Sequence, residues 1–388
     1  MIVNRRSSEY NRLVSNNLSD QKNTDQNPSI TPPINKEGET VELPSLFFER
    51  LQQLYSAEQY QKVLAALSQL RPTSFRANTL KNNPAEVLTE LKKAGLPVEP
   101  VEWWSTAMTL TDIHTRQLVH PLYVAGAVYV QGLSSMIPAL ILDPKPEESV
   151  LDLTAAPGSK TTQMAAMMEN TGQIIANELS PVRIFKLQAN LRQQGVTNTV
   201  VRRMPGQYLW RKFPEYFDKS LVDVPCSMEG RIQLDDPDTF SDWSVKKIKT
   251  LSARQQHLLR SAVSATKVGG TIVYSTCTMA PEENEAVIDW LLEREAGKIE
   301  LEKVTWPGLE DVLQPGMTEW QGKKFSPEVA KTARIAPSET MEGFFVAKIR
   351  KLAPSSPQME EFFGLRSQFN HHRRSSSRSS RFSSKRRR

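Results

Sequence analysis

Residues 148–160 constrain the chain most, because a short apolar run there changes abruptly into small residues and then into a helical pattern. The apolar run predicts a buried parallel strand. Pro157 and Gly158 predict a tight turn, and Ser159 is expected to cap the helix that follows. A strand, a turn and a helix in this order are typical of a site that binds a small polar cofactor.

The composition of this turn narrows the class of cofactor. A phosphate-binding P-loop needs Gly-x-x-x-x-Gly-Lys, but Lys160 follows Ser159 and no glycine lies between residues 151 and 157. A dinucleotide site needs three spaced glycines, and only Gly158 is present. A cofactor with a ribose and no pyrophosphate remains, because Glu178 ends the next apolar run where ribose hydroxyls are usually bound. An ordinary capping turn followed by a solvated glutamate is the alternative.

Strand-like and helix-like patterns alternate after residue 148, which predicts a doubly wound α/β sheet with helices on both faces. A further strand is expected to close the sheet at residues 343–349. The predicted strands are 149–154, 173–178, 198–202, 218–223 and 270–275, and the predicted helices are 159–169, 181–194, 244–267 and 282–293.

The region before this alternation predicts a small α+β domain over residues 45–140. Its expected elements are two amphipathic helices within 46–70, a strand within 73–80, a helix from Asn83 to about Gly95 and a strand over 123–131. The α/β domain then covers 141–352. Residues 1–44 and 353–388 are polar and poor in apolar groups, so both are expected to be disordered.

Charge is concentrated at the end of the chain. The formal net charge is +6, but residues 371–388 carry eight positive charges and no acid, which leaves −2 for the other 370 residues. Any basic surface on the folded part must therefore be local. The chain has neither an apolar run of 18 residues nor the apolar core of a signal peptide, so we predict a cytoplasmic protein. We also expect it to be monomeric.

The two cysteines fall just after two predicted strands. Two cysteines in 388 residues exclude a disulfide framework and a cysteine-rich metal site. Cys226 follows strand 218–223 and Cys277 follows strand 270–275, so both thiols should reach the cofactor edge of the sheet. A single cysteine is usually a small buried apolar group, but this shared position favours a chemical role.

With these motifs, the chain resembles the RNA cytosine-5 methyltransferases of the Nol/Nop/Sun group over residues 71–350. The resemblance rests on Leu-Asp-Leu-Thr-Ala-Ala-Pro-Gly-Ser-Lys-Thr at 151–161, Asp-Val-Pro-Cys-Ser at 223–227 and Ser-Thr-Cys-Thr at 275–278. It implies a class I methyltransferase fold, S-adenosylmethionine as cofactor and RNA, either rRNA or tRNA, as partner. The small N-terminal domain would help to hold the RNA. The cofactor-binding residues that it implies are Thr154, Ala155, Ala156, Pro157, Gly158, Ser159, Lys160, Glu178, Met204 and Asp223.

The same resemblance implies that Cys277 is the nucleophile and that Cys226 assists release of the product. Carbon 5 of cytosine is too weak a nucleophile to take a methyl group directly, so a thiolate must first add to carbon 6. Asp223 would stabilise the electron-rich adduct through the amino group and ring nitrogen 3. Because a free thiol has a pKa of about 8.5, the site must favour the thiolate, for instance through the sulfonium charge of the cofactor or a nearby lysine. The sequence does not identify which group does so.

Three short segments depart from the family pattern. Arg203-Met204-Pro205-Gly206 lacks the usual acid that contacts the cofactor, Gln131-Gly132 replaces Gln-Asp or Gln-Glu, and Ser-Met-Glu-Gly at 227–230 replaces Ser-Gly-Thr-Gly. An apolar contact between Met204 and adenine is the favoured interpretation of the first. Two functions are the alternatives to an active RNA methyltransferase: an RNA-binding family member with reduced catalysis, and a cysteine hydrolase. A hydrolase needs a histidine beside a thiol, and the catalytic region offers only His257, within a predicted helix.

Overall fold

The computed structural model describes residues 43–111 and 121–355. The basic tail at 371–388 and nearly all of the two segments expected to be disordered lie outside these ranges. The α-helices of the described ranges are α1 (Ser45–Leu54), α2 (Ala57–Leu67), α3 (Pro84–Lys93), α4 (Pro121–Val124), α5 (Leu133–Leu142), α6 (Ser159–Met167), α7 (Pro181–Gln194), α8 (Val245–Ala265) and α9 (Glu285–Arg294). The strands are β1 (Ser74–Ala77), β2 (Val98–Pro100), β3 (Ala107–Leu110), β4 (Val128–Val130), β5 (Ser149–Asp152), β6 (Gln173–Asn177), β7 (Thr199–Arg202), β8 (Phe217–Asp223), β9 (Thr266–Thr276), β10 (Ile299–Glu302), β11 (Gln314–Pro315), β12 (Glu319–Trp320), β13 (Lys323–Lys324), β14 (Ala333–Ile335) and β15 (Phe344–Lys351).

The larger sheet confirms the doubly wound prediction. Five parallel strands stand in the order β7-β6-β5-β8-β9, and antiparallel strands β15, β14 and β11 extend it, with β10 also paired to β15. Side chains alternate between its faces: in β9, Ile272 and Tyr274 join the core formed with α8 and α9, whereas Val273 joins the core formed with α5 and α6. The sheet is therefore buried on both sides.

Strand order reverses at β5. The chain runs from β5 outward to β6 and β7, and then returns to the other side of β5 to form β8 and β9. Ligands of such sheets bind beyond the carboxyl ends of the strands at this reversal. The turn at residues 153–158 lies at this point of the fold.

The smaller sheet is antiparallel, in the order β2-β3-β1-β4, and it packs with α3 around a core of its own. The Asn83 side chain accepts a hydrogen bond from the N–H of Ala85, which confirms the predicted start of α3. The strand predicted over residues 123–131 is mostly wrong, since only β4 is extended. Pro121 begins a helical turn, in which the N–H of Ala125 donates to its carbonyl at 2.8 Å.

Helix α5 was not predicted, because it has no polar face. Every residue from Leu133 to Leu142 is buried except Ser135, and Pro138 lies within the helix. A helix that is apolar all round lacks the three-and-four periodicity that identifies a surface helix. The boundary expected between residues 140 and 141 falls inside α5. Within the described ranges, no helix is both long and apolar enough to cross a bilayer.

Candidate active site

The turn after β5 is fixed by its backbone. The peptide between Ala156 and Pro157 is cis, and Gly158 has a φ of 106°, in the left-handed region that favours glycine. A Cβ at Gly158 would lie 2.9 Å from the Leu187 side chain. Gly158 is the N-cap of α6, so the expectation that Ser159 caps this helix is wrong: Ser159 is its first residue. The left-handed glycine allows the chain to enter the helix one residue earlier.

Asp152 lies beneath this turn. It is buried, and one carboxyl oxygen accepts a hydrogen bond from the Thr161 hydroxyl at 2.7 Å. Burial, helped by the charge of Asp223, raises the pKa of Asp152 to about 7 although the hydrogen bond from Thr161 lowers it. This carboxyl is therefore much less acidic than an exposed aspartate.

The smaller sheet contributes a buried arginine to the start of α6. Arg76 of β1 donates to the Ser159 carbonyl at 3.1 Å, to the Thr162 hydroxyl at 2.7 Å and to the Gln131 side chain at 2.9 Å. Burial lowers the pKa of Arg76 to about 10. These bonds connect β1 directly to the helix that follows the turn.

Lys160 and Asp223 form an ion pair at the carboxyl edge of the sheet. The Lys160 ammonium lies 2.7 Å from one carboxylate oxygen of Asp223 and 2.8 Å from the Ser135 hydroxyl. The Ser275 hydroxyl donates to the other oxygen at 2.8 Å. Each carboxylate oxygen has two acceptor sites, so Asp223 retains acceptor capacity toward a ligand.

The two cysteines, which the sequence predicted at the cofactor edge of the sheet, face each other there. Their sulfur atoms lie 3.2 Å apart, with Cys226 buried and Cys277 partly exposed. The pKa of Cys226 is raised well above its usual value, first by its hydrogen bond to Cys277 and then by burial. In the free protein this raised pKa favours the thiol form of Cys226 over the thiolate.

Glu283 supports the loop that carries Cys226. The backbone N–H of Ser227 donates to its carboxyl at 3.0 Å, and the Gln255 side chain donates at 2.7 Å. Gln255 also donates to the Pro225 carbonyl at 2.9 Å. Burial raises the pKa of Glu283 to about 7. The carboxyl thus fixes the Pro-Cys-Ser segment from behind.

A cavity of about 470 Å³ opens above these groups. The predicted site residues that line it are Thr154, Ala156, Pro157, Ser159, Lys160, Asp223, Cys226 and Cys277, and those that do not are Ala155, Gly158, Glu178 and Met204. Among the described residues that line it there is no histidine, so the arrangement that a cysteine hydrolase needs is not found there.

Glu178 and Met204 lie at the ends of the next two strands rather than in the cavity wall. Glu178 accepts from the N–H of Ser180 at 2.9 Å and pairs with Arg183 at 3.1 Å. The N–H of Met204 donates to the Asn177 side chain at 3.0 Å. Their proposed contacts with the cofactor remain predictions.

Arg231 and Glu342 also line the cavity, and the sequence did not predict either. They pair at 3.1 Å although 111 residues separate them in the chain. The only available signals were weak: Arg231 directly follows a segment that departs from the family pattern, and Glu342 precedes the predicted closing strand.

Two family models match the chain, one in each of its two parts. Residues 139–350 match the model of the family described as 16S rRNA methyltransferase RsmB/F, and residues 43–132 match that of the N-terminal domain of 16S rRNA methyltransferase RsmF.

Three similar proteins illustrate the range of relatives. A tRNA (cytosine(49)-C(5))-methyltransferase from Pyrococcus abyssi is 41% identical, and the match covers 78% of this chain and 94% of the relative. A 28S rRNA (cytosine-C(5))-methyltransferase from Mus musculus is 35% identical, and the match covers 80% of this chain but 39% of the relative. The solved structure of a methyltransferase homolog protein from Pyrococcus horikoshii has a TM-score of 0.70 at 34% identity, covering 80% of this chain and 96% of that one.

Proposed function

Because the chain belongs to the family of RNA cytosine-C5 methyltransferases described as RsmB/F, we propose that it methylates carbon 5 of cytosine in rRNA or tRNA through a covalent bond to Cys277. The observation that carries this proposal is the pair of thiols, 3.2 Å apart, in a cavity that also contains Lys160 and Asp223. The presence of these four groups in one cavity supports catalysis over the alternative of an RNA-binding protein with reduced activity.

As a class I methyltransferase, the protein uses S-adenosylmethionine, which supplies the methyl group when bound. The residues at the sheet edge fit this cofactor. Gly158 keeps the turn backbone free of a side chain where it meets α7, and Glu178 and Asp223 offer carboxylates to hydroxyl and amino groups. We propose that Glu178 holds the ribose and that Met204 packs against the adenine.

In the first step, the Cys277 thiolate attacks carbon 6 of cytosine and forms a sulfur–carbon bond. The electron pair of the C5=C6 bond moves toward ring nitrogen 3, which gains a proton. The Asp223 carboxylate accepts a hydrogen bond from this N–H group. Lys160, 2.7 Å from that carboxylate, is the ammonium that can supply the proton. Carbon 5 is then electron-rich enough to accept the methyl group.

In the second step, the Cys226 thiolate removes the proton from carbon 5, and the electron pair re-forms the C5=C6 bond as the Cys277 sulfur leaves. Ring nitrogen 3 returns its proton to Lys160, which restores neutral 5-methylcytosine. The raised pKa of Cys226 depends first on its hydrogen bond to Cys277. Once Cys277 is bonded to carbon 6 it is no longer a thiolate, so this hydrogen bond and the repulsion between two sulfur charges both disappear. The adduct thereby lowers the pKa of Cys226, so that the thiol can lose its proton to water and its thiolate is available when a base is needed.

We propose that residues 45–140 help to hold the RNA in a cytoplasmic, monomeric protein. The match of residues 43–132 to the RsmF N-terminal domain supports a shared role for this region. The contacts of Arg76 with Ser159 and Thr162 give the smaller sheet a direct connection to the cofactor turn.

The test is whether each cysteine variant forms a covalent complex with RNA. Cys277→Ala removes the attacking group, so we expect neither methylation nor adduct. Cys226→Ala permits attack and methyl transfer but slows release, so protein should accumulate bonded to RNA. Denaturing electrophoresis after incubation with rRNA or tRNA transcripts and S-adenosylmethionine separates these outcomes.

The double variant Cys226→Ala, Cys277→Ala is the matched control and should form no adduct. An adduct with Cys277→Ala alone would exchange the two roles. Unmodified RNA with the wild-type protein, despite measurable RNA binding, would instead support the reduced-catalysis alternative.

A further inference from the structure

Three segments of the chain meet at Gly230. Its N–H donates to the Cys277 carbonyl at 3.1 Å, and its own carbonyl accepts from the N–H of Gly343 at 3.0 Å. A Cβ at Gly230 would lie only 2.0 Å from the Gly343 carbonyl oxygen, so a larger residue would force these backbones apart. The loop after Cys226 is thereby fixed against both the nucleophile and the residue that precedes β15.

This junction brings Arg231 and Glu342 into the wall of the cavity that contains the thiols. Arg231 follows Gly230, Glu342 precedes Gly343, and both side chains line the cavity that contains Cys277. Glu342 accepts from the Nε of Arg231 at 3.1 Å, and the terminal nitrogens of the guanidinium carry further donors. The pKa of Arg231 is raised, first by Glu342 and also by the nearby charges of Cys277 and Cys226.

Among the described residues that line the cavity, the other two cations are also held in ion pairs, Lys160 with Asp223 and Arg183 with Glu178. Lys160 is bound to Asp223 at 2.7 Å, so the charges of this pair largely cancel. Glu283 faces Cys226 as an acid, with a pKa raised to about 7 by burial. The Arg231 side chain is 51% exposed, in contrast to Lys160 at 8%, and can therefore move toward the cavity at little desolvation cost.

We propose that Arg231 stabilises the thiolate of Cys277 and that Glu342 limits this effect by holding the guanidinium. The inference rests on the proposed function, in which Cys277 attacks as a thiolate. A nearby cation favours a thiolate over a thiol by direct attraction. Arg231 thus fills a role that the sequence did not assign to a particular residue.

The experiment measures the pH dependence of Cys277 alkylation by iodoacetamide. The chain has two cysteines, so a Cys226→Ala background leaves one reactive thiol, whose modification can be followed by mass spectrometry. In that background, Arg231→Gln should move the alkylation midpoint upward by about 0.5 to 1 pH unit. Below the midpoint, this shift corresponds to alkylation that is roughly three- to tenfold slower. Arg231→Lys should restore most of the shift because it retains the charge.

Glu342→Gln should move the midpoint in the opposite direction, because it removes an anion and releases Arg231. Arg183→Gln is the matched control, since Arg183 also lines the cavity but pairs with Glu178. It should leave the midpoint unchanged. Added salt should shrink the difference between Arg231→Gln and its parent, because a half-exposed charge is screened.

The inference is wrong if Arg231→Gln and its parent share one midpoint, or if Arg231→Lys behaves like Arg231→Gln. Thermal unfolding of each variant establishes that it is folded, and Glu342→Gln provides an independent test if Arg231→Gln is not. The assay requires neither RNA nor cofactor, so its outcome does not depend on the methylation experiment. If Arg231→Gln shifts the alkylation midpoint as expected but the wild-type protein has no methyltransferase activity, this inference stands and the proposed function is refuted.

Discussion

Replacing Asp152 by asparagine should make the free energy of unfolding less sensitive to pH. Burial raises the pKa of Asp152 from 3.8 to about 7. The native state therefore binds this proton more tightly than the unfolded chain, and the stability of the wild-type protein falls as pH rises through that window. An asparagine at this position has no proton to lose. The stability of Asp152→Asn relative to wild type should thus increase between about pH 4 and about pH 7 and remain constant above it.

The magnitude follows from the size of the shift. Three pKa units at about 1.4 kcal/mol each correspond to about 4 kcal/mol over the full window, and to roughly 2.5 kcal/mol between about pH 5 and about pH 8. Urea unfolding of both proteins at several pH values, at constant ionic strength, measures this difference. A fixed offset from packing or from the altered hydrogen bond to Thr161 does not affect it, because only the change with pH is compared.

Asp218→Asn is the matched control, with the opposite sign. Partial burial opposes ionisation of Asp218, but hydrogen bonds from Lys267 and the N–H of Ser149 outweigh it and lower its pKa. Asp218→Asn should therefore lose stability relative to wild type as pH rises through the acidic range. An Asp152→Asn advantage that is flat across pH, or that shrinks as pH rises, would refute the assignment of Asp152 as a destabilising buried acid.

Three further predictions concern the cofactor, the thiols and the tail. Met204→Asp should tighten S-adenosylmethionine binding about tenfold, as measured by isothermal titration, because it restores a hydrogen-bond acceptor; weaker binding would mean that the apolar contact of the methionine with adenine outweighs this hydrogen bond. Glu283→Gln, in a Cys277→Ala background, should lower the pKa of Cys226 by up to about one unit, because Glu283 is an anion beside that thiol. Alkylation of Cys226 measures this shift, and an unchanged value would contradict it. Deletion of residues 371–388 should flatten the salt dependence of RNA binding by roughly 0.7 to 0.9 log units per lost phosphate contact, and an unchanged slope would exclude a tethering role for the tail.

The parts of the fold that the sequence predicted are those with local signals. The five parallel strands begin and end within a few residues of their predicted limits, because buried parallel strands are continuous apolar runs. The shared position of Cys226 and Cys277 at one edge of the sheet followed from the rule that parallel strands present their carboxyl ends there, whereas their direct contact did not. The strand limits follow from hydrophobic periodicity and the position of the cysteines follows from sheet topology, and both can be inferred from a single sequence.

The parts that could not be predicted depend on pairs of residues far apart in the chain. Arg231 meets Glu342 across 111 residues and Arg50 meets Glu282 across 232, and no periodic pattern encodes such a distance. The contacts of Arg76 are similar, since an arginine in an apolar strand gives no sign of its partner. Ser159 shows a different limit, because the preference of a glycine for the left-handed region displaced a good capping residue by one position.

Helix α5 determines where the protein can be divided. Its side chains share one core with Ala107 of the smaller sheet and with Val150 and Val273 of the larger sheet. A fragment that began at residue 141 would keep only the last two residues of α5 and would expose apolar surface from β5 and β9 to water. The two sheets should therefore melt together in a single cooperative transition, and a catalytic fragment that folds on its own has to start before Leu133.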